Sequence, residues 1–157
     1  MPIAGFARLW RRRRPAGGRG TDVSAADIAR FATLHGAVQK ALSEGDLAVL
    51  KRLATPAMTA YFAGELARLA REGRRNVVAR LELLAIEPCE ARREGEAQYA
   101  TALLRWRAID YVVRPAAGPG APELVSGDPR TPVEIEEMWT FARRGAGDWL
   151  LSAIHQV

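Results

Sequence analysis

The sequence predicts an α+β fold, with three amphipathic helices packed on a curved four-stranded antiparallel sheet. Up to about residue 72, apolar residues recur every three or four positions, which is the helical period; from about residue 76 they recur at every second position. Within the second predicted strand the apolar positions change from even to odd numbers, as happens at a β-bulge that bends a sheet. A bent sheet wrapped by helices makes a cone, so we expect it to enclose a pocket.

The first helix is predicted over residues 24–44. Ser24 and Asp27 have the spacing of a capping box at its start, and Gly45 can end it in a left-handed conformation. Its apolar stripe consists of residues three or four positions apart: Ile28, Phe31, His35, Val38 and Leu42. The helix therefore has one face suited to packing on a sheet.

Two further helices follow. Asp46 can cap a short helix over Leu47–Leu53. Thr55 can cap the third helix, with Pro56 in the first turn, where its missing N–H costs nothing. Gly73 is expected to end this third helix, whose apolar stripe is Met58, Phe62, Leu66 and Leu69.

The strands are recognised by their alternation of apolar and polar residues. Three are predicted over residues 76–87, 97–114 and 149–156. Another is predicted from four apolar residues that share one face: Val133, Ile135, Trp139 and Phe141. The bulge is expected near Arg107 and Ala108, and residues 115–132 are predicted as a loop with a short extended piece at Leu124–Val125.

Length and composition fit one globular domain, since the chain has 157 residues of which 48% are hydrophobic and 26% charged. No apolar run reaches the ~18 residues of a membrane-spanning helix or forms the apolar core of a secretory signal peptide. Because Cys89 is the single cysteine, the chain cannot form an internal disulfide. One cysteine and two histidines are also too few for a standard structural zinc site. We expect Cys89 to be a buried or half-buried inert thiol, and we predict no cofactor and no metal.

Positive charge is concentrated at the N-terminus. Residues 1–20 hold six arginines and no acid, which leaves 17 basic and 18 acidic residues in the rest of the chain. We predict a flexible basic arm over residues 1–21 and a folded domain over residues 24–157. The residues expected to contact an anionic membrane are Phe6, Leu9, Trp10, Arg11, Arg12, Arg13 and Arg14. A solvated tail and a mitochondrial presequence are alternatives; nucleic-acid binding is not expected, because no basic patch with interleaved aromatics appears elsewhere.

Glu137 is the first candidate for chemistry. It falls on the inward face of its strand between Ile135 and Trp139, where an unpaired carboxylate is costly. It either lines the pocket or forms a structural ion pair with Arg105 or Arg107, and the ion pair is the favoured interpretation.

Three other polar residues are weaker candidates. Asp110 lies near the predicted bulge, where it could point into a cavity, although an exposed strand position is favoured. His35, on the apolar stripe, is expected to be a core histidine bonded to a backbone carbonyl, and His155 is expected to serve packing. The predicted pocket-lining residues are Phe62, Leu66, Trp106, Asp110, Glu137, Trp139 and Phe141.

Two segments resemble the Tim44-like domain family. The first is Gly45-Asp46-Leu47 with Leu50, Leu53, Thr55-Pro56 and Met58. The second is Gly127-Asp128, then Glu137-Met138-Trp139-Thr140-Phe141-Ala142-Arg143, then Trp149-Leu150-Leu151-Ser152-Ala153-Ile154-His155-Gln156. The resemblance covers residues 24–157, and its paired strands are more specific than its helical half.

The resemblance implies a cone-shaped fold of the NTF2-like superfamily and a non-enzymatic adaptor with a large apolar pocket at the inner membrane. The expected location is the cytoplasmic face of a bacterial inner membrane, with the matrix side of the mitochondrial inner membrane as the alternative. The expected partners are a membrane-associated protein, the anionic membrane surface and a small apolar ligand or lipid. The role of mitochondrial members in tethering the import motor does not carry over, because the long region that engages the motor does not appear in this sequence.

A small isomerase or dehydratase is the alternative function, since the same superfold hosts such enzymes. Asp110 and Glu137, helped by Tyr111 or His35, would then act as general acid and base. The sequence shows no closely spaced pair of His and carboxylate, which favours the adaptor.

Overall fold

The structure, a computed structural model, describes residues 23–157. In this range three helices precede five strands: α1 Ala25–Glu44, α2 Leu47–Leu53, α3 Pro56–Arg71, β1 Arg75–Glu94, β2 Ala97–Arg114, β3 Glu123–Gly127, β4 Val133–Arg144 and β5 Leu150–Gln156. The strands pair antiparallel in the order β1-β2-β4-β5, and β3 pairs with the end of β2. The predicted α+β class is confirmed. Among the described residues the sheet has a fifth strand, β3, where the sequence predicted a short extended piece.

The helices begin and end at the predicted caps. Ser24 Oγ accepts a hydrogen bond from the backbone N–H of Asp27, and the Asp27 carboxylate accepts one from the backbone N–H of Ser24, both at 3.1 Å. Gly45 ends α1 with a φ of +68°. Asp46 and Thr55 cap α2 and α3, since each side chain accepts from the backbone N–H three residues ahead. Local chemistry therefore fixes these boundaries.

The pairing of β1 with β2 shifts register at Ala108, where the alternation predicted a bulge, but the extra residues lie on β1. β2 pairs with β4 without interruption, whereas β1 has register shifts at three places. The first of these sets Arg80 and Leu81 opposite the single residue Ala108. The prediction of a bulge within β2 is therefore wrong. Alternation records which side chains are buried, and it does not record which strand of a pair carries the extra residue.

The core lies between the helices and the inner face of the sheet, where aromatic side chains meet. The rings of Phe31 and Phe141 stack with centroids 4.1 Å apart, and Trp149 contacts Phe31 edge-on. Cys89 is outside this core: the prediction of a buried thiol is wrong, because Cys89 lies in the third register shift of the edge strand β1 and is exposed.

Candidate functional site

Glu137 lies in the core, where three N–H groups bind its carboxyl group. The indole Nε1 atoms of Trp106 and Trp139 donate to Oε2 at 3.1 and 2.9 Å, and Nε2 of Gln156 donates to Oε1 at 2.7 Å. Glu137 is only 6% exposed. All of these donors are neutral, so hydrogen bonds rather than an opposite charge compensate for the burial of this group.

The prediction that Glu137 forms an ion pair with Arg105 or Arg107 is wrong. Arg105 is exposed, and Arg107 contacts Glu82 at 3.0 Å and Glu134 at 3.9 Å. The reason is strand parity. Even-numbered residues of β2 are buried in this region, so the two odd-numbered arginines lie on the opposite face of the sheet.

His35 packs against the two indoles that bind Glu137. Its ring centroid lies 5.3 Å from that of Trp106 and 4.8 Å from that of Trp139, both in edge-on geometry. His35 is 1% exposed, and its Nε2 has no hydrogen-bond partner among residues 23–157. Burial lowers the pKa of His35 to about 4, so the ring is neutral at physiological pH. Its burial in the core is confirmed, whereas the predicted bond to a backbone carbonyl stays a prediction.

Asp110 is another buried carboxyl group. Nδ2 of Asn76 donates to its Oδ1 at 3.2 Å, while its Oδ2 has no partner within the described part of the chain. Burial raises the pKa of Asp110, although the hydrogen bond from Asn76 works in the opposite direction. The expectation of an exposed strand residue is wrong: Asp110 is 2% exposed, in a stretch of β2 where residues 108–110 are all buried.

The residues predicted to line a pocket lie on the inner side of the fold. Leu66 is partly buried and packs against the core, and the other six are buried. The structure brings Trp106, Glu137 and Trp139 into direct contact, and the rings of Trp139 and Phe141 lie 6.2 Å apart. Phe141 stacks on Phe31 of α1, and Trp106 and Trp139 contact His35 of the same helix.

A groove of about 200 Å³ lies between α1 and β1. Its lining residues come from one stripe of the helix and one segment of the strand: Gly36, Gln39, Lys40, Ser43, Glu44, Val78, Ala79, Arg80 and Leu81. Ser43 Oγ accepts from the N–H of Val78 at 3.0 Å and donates to its carbonyl at 3.5 Å, which joins helix to strand at one end. This groove was not predicted from the sequence, because only tertiary folding brings the two segments together. A glycine inside a helical pattern, Gly36, was its one local signal.

The sequence pattern of the Tim44-like domain matches residues 28–156. This chain belongs to the Tim44-like domain family. Two solved structures are similar to it. The intermembrane space region of the chloroplast protein ARC6 has 11% sequence identity and a TM-score of 0.53, covering 88% of this chain and 98% of that chain. An NTF2-like superfamily protein from Salmonella enterica serovar Typhimurium has 13% identity and a TM-score of 0.44, covering 85% and 92%.

The likeness to the ARC6 region shows a shared fold and nothing further, given the low identity. None of the curated protein sequences compared with this chain matches it. No helix within residues 23–157 is long and apolar enough to cross a membrane. In the same range no group of three or more His, Cys, Asp or Glu side chains is arranged to bind a metal ion. The residues predicted for membrane contact, 6–14, lie outside the described residues.

The motif that carried the resemblance builds much of this Tim44-like core. Glu137 and Trp139 come from its first strand and Gln156 from its last. Trp149, between them in sequence, donates its indole N–H to Asp27 at the start of α1 at 2.9 Å. Arg143 lies over the Trp149 ring at 4.4 Å and approaches the same carboxylate to 3.5 Å. The paired strands therefore bind both a buried carboxyl group and the first helix.

Proposed function

We propose that this protein is a membrane-associated adaptor whose folded domain binds a protein partner. The match of the Tim44-like domain over residues 28–156 carries the proposal. The proposed location is the cytoplasmic face of a bacterial inner membrane.

The state of the buried site supports a non-enzymatic role. Both carboxyl oxygens of Glu137 accept hydrogen bonds from the protein's own side chains. A general acid or base must reach the substrate proton directly or through one water. A carboxyl group already bound by Trp106, Trp139 and Gln156 is arranged for holding strands together.

The basic arm, residues 1–21, is the proposed membrane contact. An arginine near an anionic leaflet adds about 1 kcal/mol, and the attraction disappears within a Debye length. Phe6, Leu9 and Trp10 add apolar groups that favour the interface. The arm therefore supplies weak, salt-sensitive binding, and the folded domain is free to hold the partner.

Vesicle co-sedimentation of the full chain tests this proposal. The chain should bind vesicles of phosphatidylcholine with phosphatidylglycerol, release them at high salt, and ignore pure phosphatidylcholine. Replacing Arg11, Arg12, Arg13 and Arg14 by Gln should abolish binding. The matched control should bind normally. It replaces by Gln four exposed arginines of the folded domain: Arg71, Arg75, Arg93 and Arg130. If the arm variant binds vesicles as well as the wild type does, the membrane contact lies on the folded domain.

An isomerase or dehydratase remains the second candidate, and Asp110 is the observation that favours it. Its Oδ2 lacks a partner among the described residues, and burial raises its pKa, as a general acid requires. Proton-transfer and dehydration assays on small carbonyl compounds would test this. Activity in the wild type that disappears in Asp110→Asn would favour the enzyme; no activity in either would favour the adaptor.

A further inference from the structure

The groove between α1 and β1 contains a buried amide whose oxygen has no partner. Gln39 lines the groove and is 4% exposed, and its Oε1 accepts no hydrogen bond from residues 23–157. An unpaired buried acceptor is costly and calls for an explanation. Rotation about the last side-chain bond exchanges the oxygen and the nitrogen, so in either orientation the amide offers one acceptor and two N–H donors. A peptide group has one N–H donor and one carbonyl acceptor, so the amide can form a hydrogen bond with each of them.

The shape of the groove depends on two backbone features. Gly36 has no side chain, and a Cβ placed there would meet nothing within 4 Å, so this end is open space. The facing wall contains Arg80, which holds a φ of +52° within the bulge of β1. A left-handed conformation is uncommon for a residue other than glycine, and such strain concentrates at functional sites.

The charged residues of the groove have an excess of positive charge. Arg80 is exposed, and none of the ion pairs among the described residues includes it. Lys40 is 75% exposed in its side chain and approaches Glu44 only to 3.9 Å. Such an exposed pair contributes little, so Lys40 is free to turn toward a ligand. The groove therefore favours an anionic group beside Arg80.

We propose that this groove binds an extended acidic peptide segment of a partner protein. The amide of Gln39 pairs with a peptide group, a side chain of the segment occupies the space over Gly36, and a carboxylate pairs with Arg80 and Lys40. The proposal rests on the adaptor function above and specifies the chemistry of its protein partner.

An NMR titration of the ¹⁵N-labelled full chain tests this site directly. The probe is the peptide acetyl-Ala-Ala-Glu-Glu-Ala-amide, and the charge control has lysines in place of both glutamates. The acidic peptide should shift the side-chain amide of Gln39 and the backbone amides of Ala79, Arg80 and Leu81, with saturation. The lysine peptide should leave these signals unchanged.

Variants separate the proposed contacts. Gly36→Leu fills the groove and should remove the saturable shifts. Gly64→Leu is the matched control, because this glycine also lies in a helix and a Cβ there also meets nothing within 4 Å. Gln39→Leu keeps the size of the side chain but removes the amide; it should weaken the acidic peptide about fivefold, the loss of one hydrogen bond, without lowering Tm. If the amide of Gln39 stabilises the fold instead, Gln39→Leu will have a lower Tm than the wild type.

Four results would overturn the proposal: no saturable shifts with the acidic peptide, equal binding of the lysine peptide, unchanged affinity in Gly36→Leu, or saturable shifts confined to another surface. Shifts of the same groove residues on adding phosphatidylglycerol vesicles without peptide would assign the groove to a lipid headgroup and also overturn it. The vesicle assay tests the arm and does not involve the groove, so a failure of membrane binding and a failure of peptide binding are distinguishable.

Discussion

Trp139 donates its indole N–H to the carboxyl group of Glu137, two residues earlier on the same strand, at 2.9 Å. Residues two apart on a strand face the same side, so this contact is already present within β4. Trp106 and Gln156 then bind the same carboxyl group from β2 and β5. A single buried side chain therefore joins three neighbouring strands beneath α1.

Glu137→Gln should lower the free energy of unfolding by about 2 kcal/mol, because hydrogen bonds to a charged acceptor weaken and the new NH₂ group faces donors. Urea unfolding at neutral pH measures the change. Glu136→Gln is the control, since Glu136 is exposed on the same strand and should change stability by less than about 0.5 kcal/mol. Equal stability of Glu137→Gln and the wild type would contradict the role given to the carboxyl group.

His35 should make the protein less stable in mild acid. Its pKa is about 4 in the folded protein against 6.5 for an ordinary histidine, so the unfolded chain takes up the proton first as the pH falls. Stability is therefore highest above pH ~6.5 and decreases toward pH ~4 by about 1.4 kcal/mol per pH unit.

Urea unfolding of the wild type and His35→Leu at pH 7 and pH 5 measures the contribution of His35 to this pH dependence. Between pH 7 and pH 5, the free energy of unfolding should fall by about 2 kcal/mol more in the wild type than in His35→Leu. An identical loss in the wild type and His35→Leu would exclude His35 as the source.

Asp27 should stabilise the contact between the start of α1 and the C-terminal strands. Burial works to raise the pKa of Asp27, but hydrogen bonds from Trp149 and Ser24, with the charge of Arg143, lower it overall. A carboxyl group with a lowered pKa stabilises the fold above its ordinary value of 3.8, and this stabilisation is lost as the pH falls through the folded value. Asp27→Ala should cost about 2 kcal/mol at neutral pH, the sum of its part in the capping box and a partly buried hydrogen bond from Trp149.

Chemical denaturation of Asp27→Ala beside Asp148→Ala checks this expectation. Asp148 is exposed and precedes Trp149 in sequence, so it controls for a lost negative charge nearby. A cost for Asp27→Ala no larger than for Asp148→Ala would show that the contact contributes nothing.

Gly127→Ala should destabilise the junction of β2 and β3 by at least about 2 kcal/mol. The backbone φ of Gly127 is +80°, and an added Cβ would lie 2.5 Å from the carbonyl oxygen of Asp110. Gly118→Ala in the preceding loop is the control, because a Cβ there meets nothing within 4 Å. A thermal melt compares the two, and a Tm for Gly127→Ala at or above that of Gly118→Ala would contradict the close approach.

The buried site was only partly predictable. The inward position of Glu137 follows from the alternation along its own strand, and the burial of His35 follows from the helical period. The partners of Glu137 do not follow, because Trp106 and Gln156 reach it through the register of two other strands. The burial of Asp110 does not follow from alternation either, because residues 108–110 are buried in succession.

The order of the elements, the helix ends and the face that each strand buries follow from the sequence alone. These properties depend on interactions within a few residues: Ser24 with Asp27, the left-handed turn at Gly45, and the alternation of side chains along β4. Long-range packing places the bulge on β1, brings indole and amide groups to Glu137, and sets Gln39 and Arg80 in one groove. Those outcomes depend on how distant segments register and pack, and local periodicity contains no information about the partner of a side chain across the sheet.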